Sequence, residues 1–408
     1  MNSKKVSIIG QGYVGLPLAM SAAKAGWLVT GVDSSERVVK GLNCGVSHVE
    51  DVSNEILSQN LTSGKYRAST DYNQVAESSI CIIAVPTPLH QNRTPNLDFL
   101  ESALRNVANS LPANVTLISE STSFPGTTRE FIIPLIRSLR EDHAISMSFA
   151  AAPERIDPKN QKWTLNNTPR IIGGIDSKST EKARMFYDSI CSQVLTVPSL
   201  EVAEMSKLLE NTFRQVNIAL INQLAVFCNQ LGIDIHEVIQ AADTKPYGFM
   251  KFFPGAGVGG HCIPIDPMYL YWRAKQLSFD FSIIRESDKV NGSMPKYVVD
   301  RFIESARLVP GSTVVILGVS YKPGLADTRE SPAEFVAFEL KKFGCTVLWS
   351  DPRVESFQDL KRFSSERLDG AIIVTAQKEL LVEPFIEQGI PVFDCTGVFK
   401  HLVGVKSL

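Results

Sequence analysis

Two doubly wound α/β domains joined by a long central helix are what the sequence predicts, and three observations predict them. The first segment, "KKVSIIGQGYVGLPLAMSAAKAGWLVTGVD", passes from an apolar run through a glycine turn and an alanine-rich helical stretch to a second apolar run, which is a βαβ unit. From Ser199 to Leu231 there is neither glycine nor proline, and apolar residues recur at helical spacing through Val202, Met205, Leu209, Phe213, Val216 and Leu220. Strand patterns separated by helical ones then return in "STVVILGVSYKPG", "CTVLWSDP", "GAIIVTA" and "IPVFDCTG". A chain of 408 residues is too long for one core, and ordinary domain sizes give roughly two or three domains. The expected boundaries are 1–198 for the first α/β domain, 199–305 for a central helical region and 306–408 for the second α/β domain.

Gly10, Gly12 and Gly15 form GxGxxG between the first strand and helix, and an acidic residue, Asp33, ends the second strand. This is the dinucleotide fingerprint of a Rossmann-like domain: the first two glycines allow the turn and the approach of a pyrophosphate to the helix N-terminus, and the third lets helix and strand pack closely. Asp33 accepts hydrogen bonds from ribose hydroxyls and repels a 2′-phosphate, which favours NAD over NADP, with Arg37 as the residue that opposes this preference. Tyr13, Val14, Thr87 and Thr122 complete the expected cofactor contacts. Further strands are expected in "SICIIAVPTP", "VTLISESTS", "MSFAAAPER" and "RIIGG", with helices such as "LDFLESALRNVANSL" between them.

The length of the central helix exceeds that of ordinary globular helices, and a free apolar stripe of this kind predicts pairing with a second copy, a homodimer. Lys207 and Asn211, four residues apart, share one face of it. Taken alone, such a pair reads as a solvated face. The second domain lacks the GxGxxG pattern, so its nucleotide-type fold is expected to hold something other than a second dinucleotide.

Seven cysteines, an odd number without a CxxC pair, argue against a disulfide framework or a zinc ribbon. Cys44, Cys81, Cys191, Cys228, Cys345 and Cys395 read as inert, buried cysteines. Cys262 differs, because "GAGVGGHCIPID" sets it behind four glycines, beside His261 and four residues before Asp266. Glycine at this density lets a ligand approach the backbone closely, and a thiolate there is a candidate nucleophile. Asp266 is equally suited to capping a helix. His261 and Cys262 lack further ligands at zinc-type spacing, so no metal is expected.

Lysine plus arginine (41) nearly balance aspartate plus glutamate (43), so no global field favours nucleic acid or a membrane surface. The chain opens directly into a strand pattern with no signal-like segment, and no apolar run is long enough to span a bilayer, which predicts a cytoplasmic protein.

In order along the chain, GQGYVG, "ESTSFPGTT", "PER", "AEMSKLLENTF", "GVGGHCIPID" and "YKPGLADTRESPA" resemble the UDP-glucose/GDP-mannose dehydrogenase family over nearly its whole length. The segment "KPYGFMKFFPGAGVGGHC" looks most like the branch that oxidises UDP-N-acetylglucosamine at C6. The resemblance implies a UDP-sugar substrate and a four-electron oxidation of its CH2OH to a carboxylate, with two NAD+ used in succession. Cys262 would capture the aldehyde as a thiohemiacetal, and oxidation of that adduct gives a thioester for hydrolysis. By motif position the resemblance makes Lys207 the group that stabilises the developing oxyanion, with Asn211 positioning it. It makes Asp266 and Thr122 the groups that orient a water, and Glu154 a carboxylate near the reacting centre, leaving open which is the base. Lys322 and Arg329 fall on the UDP side, and Lys251, Phe252, Phe253 and Gly257 belong to the loop that passes over the nucleotide sugar.

Three departures bear on the substrate. Pro158 stands where glucose-oxidising relatives commonly carry a second glutamate, which leans toward the N-acetylated branch; Thr396 replaces a common arginine; and Lys245 aligns near a partner-subunit arginine, keeping charge without the fork geometry. Two rival readings are a single-step hydroxy-acid dehydrogenase, which needs neither Cys262 nor a second α/β domain, and a non-catalytic NAD sensor, which leaves Lys207, Asn211, Cys262 and Asp266 unexplained.

Overall fold

Every apolar run named above for the N-terminal domain becomes a strand of one sheet in the computed structural model, which describes residues 4–140, 146–157, 160 and 162–408. In chain order the elements are β1 (Lys5–Ile9), α1 (Gly15–Lys24), β2 (Leu28–Val32), α2 (Glu36–Asn43), α3 (Asn54–Thr62), β3 (Tyr66–Ser69), β4 (Ile80–Ile83), α4 (Asp98–Ala108), β5 (Thr116–Ser119), α5 (Ile133–Leu139), β6 (Ser148–Ala151), β7 (Arg170–Gly174), α6 (Ser177–Tyr187) and β8 (Val194–Val197). The strand order is β3-β2-β1-β4-β5-β6-β7-β8. Alternate residues of the central strands face opposite layers: Ile8, Ile82 and Ile118 pack with Leu16 and Phe186, while Ile9, Ile83 and Leu117 pack with Leu100 and Ile136. Both faces are therefore covered, as a parallel sheet requires.

The expectation of a doubly wound sheet holds from β3 to β6 and changes at β7, which runs antiparallel to β6. A parallel return needs a crossover of a dozen residues or more, usually a helix; among the described residues between β6 and β7 there is none.

The remaining elements are α7 (Leu200–Leu231), α8 (Ile235–Asp243), α9 (Asp266–Gln276), α10 (Ser282–Ala306), β9 (Thr313–Leu317), α11 (Pro332–Phe343), β10 (Thr346–Ser350), β11 (Lys361–Arg362), β12 (Gly370–Ile373), α12 (Glu383–Glu387), β13 (Val392–Asp394) and β14 (Val405–Ser407). The chain forms two compact units, the first reaching Glu210 and including Met268–Leu277, the second made of Asn211–Pro267 and Ser278–Leu408. The second sheet, ordered β11-β10-β9-β12-β13-β14, repeats the order of the first six strands of the other.

Helix α7 is continuous over the predicted span, but its faces do not divide as in an ordinary amphipathic helix: Leu208, Ala219, Ile221, Ala225 and Cys228 are buried together with a run of polar side chains. Glu204, Lys207, Asn211, Thr212, Gln215 and Asn222 are buried, whereas Val202, Leu209, Phe213, Leu220, Leu224, Phe227 and Leu231 are exposed. The solvated-face reading of Lys207 and Asn211 is thus wrong: both are under a tenth exposed. One cysteine also departs from its reading. Cys81, Cys191, Cys228, Cys345 and Cys395 are buried, but Cys44 is exposed at the end of α2, where the chain leaves the helix through Gly45. Among the described residues no helix is long and apolar enough to cross a membrane.

Candidate active site

In the first unit the fingerprint glycines divide their roles by geometry. Gly10 has φ +91°, and a Cβ there would lie 2.5 Å from the Ala84 carbonyl oxygen; at Gly15 it would lie 1.8 Å from that of Gly10. At Gly12 a Cβ would meet nothing within 4 Å. The open side is where a pyrophosphate can approach the first turn of α1, at the switch point between β1 and β4. Asp33 closes this corner, its carboxylate accepting from the amides of Gln11 (2.8 Å) and Ser35 (2.9 Å). Arg37 and Tyr13 are exposed and Val14 half-buried beside it. The Thr87 hydroxyl donates to the Thr122 carbonyl at 2.6 Å, which joins two predicted cofactor residues across the loops after β4 and β5. These residues fit a dinucleotide.

The loop carrying Thr122 is held from α7. The buried Glu204 carboxylate accepts from the amides of Gly126 (2.6 Å) and Thr128 (2.9 Å), one turn before Lys207 on the same helix. Burial pushes its pKa up to about 7 despite those bonds. Behind the "PER" segment sequence reading missed a further network. Tyr187 donates to the Glu120 carboxylate, Arg170 lies 3.6 Å from it, and Arg170 also donates to the carbonyls of Ala152 and Pro153. Burial raises the Glu120 carboxyl while Arg170 opposes the shift. Glu154, just beyond, is half-buried and accepts from the Ile156 amide at 2.5 Å.

In the second unit the sequence spacing becomes a compact cluster. The Cys262 carbonyl accepts from the amides of Ile265 (3.2 Å) and Asp266 (2.8 Å), so the thiol stands on the turn that starts α9. Cys262 is exposed. Asp266 is buried, and its carboxylate accepts from Asn211 Nδ2 at 2.5 Å. Asp266 therefore does more than begin a helix: it ties the cysteine turn to α7. The glycines are needed for close packing, since a Cβ at Gly259 or Gly260 would lie 3.0 or 2.8 Å from Tyr321.

His261 Nε2 lies 3.7 Å from Asp327, which also pairs with Arg329 at 2.7 Å. Burial would raise the Asp327 carboxyl, but bonds from His261 and Arg329 hold it well below the usual carboxylate range. Sequence reading missed this aspartate, which sits inside the quoted "YKPGLADTRESPA". Lys322 is half-buried nearby in the chain. Lys251 pairs with Asp243 at 2.5 Å, Phe252 meets Phe213 edge-on at 5.9 Å, and Phe253 stacks on His236 at 6.3 Å. Gly257, with φ +133°, lies near Pro295. Pro158 lies outside the described residues.

The second sheet copies the corner that Asp33 closes in the first. Gly10 donates to the Val32 carbonyl and Gly318 to that of Ser350; Gln11 donates to Asp33 as Val319 does to Asp351; Ser35 donates to Asp33 as Arg353 does to Asp351. The copy is closed to a ribose, because Asp351 is fully buried and also faces Gln377 Nε2 at 3.3 Å. The signal was present in "CTVLWSDP", an apolar strand ending in an acid like "LVTGVD".

Residues 4–191 match the NAD binding domain of the UDP-glucose/GDP-mannose dehydrogenase family, residues 201–293 its central domain and residues 315–401 its UDP binding domain. The UDP-N-acetyl-D-mannosamine dehydrogenase of Pyrococcus horikoshii is 35% identical over 382 residues, covering 92% of this chain and 90% of that protein. The UDP-N-acetyl-D-glucosamine 6-dehydrogenase of Salmonella typhi is 34% identical over 363 residues, covering 86% and 83%. A solved structure of the Pyrococcus horikoshii UDP-D-ManNAc dehydrogenase superposes with a TM-score of 0.89 at 32% identity, over 99% of this chain and 98% of that one.

Proposed function

This chain belongs to the UDP-glucose/GDP-mannose dehydrogenase family, and from that premise we propose that it oxidises C6 of UDP-N-acetylglucosamine to the carboxylate. Membership makes it an NAD-dependent nucleotide-sugar dehydrogenase with a UDP-binding domain. The observation that carries the four-electron reading is the exposed Cys262 on a turn whose carbonyl binds the amide of Asp266, itself held by Asn211. UDP-N-acetylmannosamine is the second reading, favoured by the 35% identity to a dehydrogenase of that sugar.

NAD+, bound on the Gly10–Gly15 turn, supplies the hydride acceptor for both oxidations. The Lys207 ammonium stabilises the negative charge that develops on O6, an effect larger at a buried site than in water. The Cys262 thiolate adds to the C6 aldehyde, forming a C–S bond and placing the charge on O6. At the thioester stage water attacks C6, the C–S bond breaks, thiolate leaves and the carboxylate forms. Asp266, oriented by Asn211, and Glu154 are the carboxylates available to take the water's proton, with Thr122 to orient it. In this reading 1–198 carries the cofactor, 199–305 the cysteine loop and an intersubunit helix, and 306–408 the UDP moiety near Lys322 and Arg329. The exposed apolar face of α7 is assigned to a second copy of the chain, a homodimer.

A panel of UDP- and GDP-sugars with NAD+ tests the reading. UDP-N-acetylglucosamine should give the highest kcat/KM and two NADH per sugar. A much higher value for UDP-glucose or UDP-N-acetylmannosamine overturns the substrate, one NADH per sugar overturns the covalent route, and no NADH with any sugar overturns the activity.

A further inference from the structure

Two buried asparagines form a directed chain of hydrogen bonds that ends on the glycine loop. The Gly255 amide donates to Asn222 Oδ1 at 3.0 Å, Asn222 Nδ2 donates to Asn291 Oδ1 at 2.9 Å, and Asn291 Nδ2 donates to the Gln215 carbonyl at 3.2 Å. Backbone chemistry fixes the direction at both ends. An N–H can only donate and a C=O can only accept, so flipping either side-chain amide sets like against like at two positions. Asn222 is fully buried and Asn291 is 6% exposed, so a lost partner is not replaced by water.

The chain acts on the segment that leads to Cys262, seven residues after Gly255. Two residues beyond Gly255, Gly257 passes over α10, where an added Cβ would lie 3.5 Å from the Asn291 carbonyl and 3.7 Å from the Pro295 ring. The loop then settles against Tyr321 at Gly259 and Gly260. Asn222 and Asn291 thus hold the upstream end of a loop whose downstream end carries the thiol. An apolar pair filling the same volume would hold α7 and α10 together about as well; it would leave the Gly255 amide unpaired and the loop free to slide.

We propose that Asn222 and Asn291 are positioning residues that set the register of the glycine loop and so the placement of the Cys262 thiol. The catalytic consequence rests on the reading of Cys262 as nucleophile; the placement itself does not. In Asn222→Asp a carboxylate oxygen replaces Nδ2 and faces Asn291 Oδ1, acceptor against acceptor. In Asn291→Asp it faces the Gln215 carbonyl. Protonation restores a donor at either point, so each defect reverses in acid.

The experiment measures steady-state kinetics, NAD+ affinity and the rate of Cys262 alkylation by iodoacetamide across pH, with Cys262→Ala alongside to identify the labelled peptide. Both aspartate variants should lower kcat about 10- to 100-fold at neutral pH, with a smaller change in KM, as a misplacement of about 1 Å does. Both should shift the alkylation rate and move kcat and alkylation back toward the parent as pH falls, because a buried carboxyl protonates well above its ordinary pKa. NAD+ affinity should stay within about two-fold. Where an aspartate variant does not accumulate, Asn291→Ser, which keeps a hydroxyl in place of the amide, is read the same way through kcat and alkylation at neutral pH. Parental kcat and alkylation in folded variants overturn the proposal, and so does a loss of kcat with alkylation unchanged. If Cys262→Ala keeps forming carboxylate, the nucleophile reading falls, while the alkylation profile still decides the positioning role.

Discussion

In the proposed mechanism Cys262→Ala separates hydride chemistry from covalent chemistry, and the structure sets what each should lose. The thiol is exposed, so truncation removes little buried surface. The two bonds that shape the turn are accepted by the Cys262 backbone carbonyl, which alanine keeps. The expected stability change is therefore within about 0.5 kcal/mol, or a Tm shift of about 1–2 °C. Carboxylate formation should nevertheless fall by about 10³-fold or more, since the change removes a covalent route rather than one hydrogen bond. The assay has two arms. Supplied with UDP-sugar and NAD+, the variant should release almost no carboxylate; supplied with the 6-aldehyde and NADH, it should still make alcohol, because Lys207, Asn211 and the fingerprint turn are unchanged. Two NADH per sugar at a near-parental rate would rule out the thiohemiacetal route.

Asp33→Ala should weaken the preference for NAD over NADP by about 10- to 100-fold, the worth of losing a charge-assisted ribose contact; equal use of both cofactors by the unmutated protein would count against the role. Leu220→Asp places a charge on the exposed apolar face of α7 and should convert a dimer to a monomer in sedimentation. A parent that sediments as a monomer at all concentrations sinks the assignment. The Glu204 carboxyl is raised from 4.5 to about 7 by burial, so the folded state holds its proton more tightly than the unfolded one. The corresponding stability is complete below about pH 4.5 and is lost as pH rises through about 7, at most about 3 kcal/mol. Glu204→Gln should flatten that part of the pH dependence of unfolding, and an unchanged slope would show that Glu204 does not titrate there.

Features that depend on local pattern could be read from the order of residues alone. The βαβ opening, the fingerprint glycines and Asp33 were legible because each has one backbone or side-chain task at a fixed spacing, and the structure gives Gly10, Gly12 and Gly15 three different surroundings. Helix α7 was legible because a helical period without glycine or proline persists from Leu200 to Leu231. The short strands β3, β8, β11 and β14 escaped notice because each runs for only two to four residues and is partly exposed; tertiary pairing makes them strands. Which face of α7 turns inward was also undecidable locally. Periodicity finds an apolar stripe, but only packing shows that polar side chains share the buried side, where Asn211 binds Asp266 and Asn222 meets Asn291, while Leu209, Phe213 and Leu220 of the stripe stay exposed. The same holds for Asp327, Arg170 and Asn291: in sequence they are ordinary polar residues. Each acquires its role from a partner many positions away, because hydrogen bonds are short and directional and depend on where the fold places both ends.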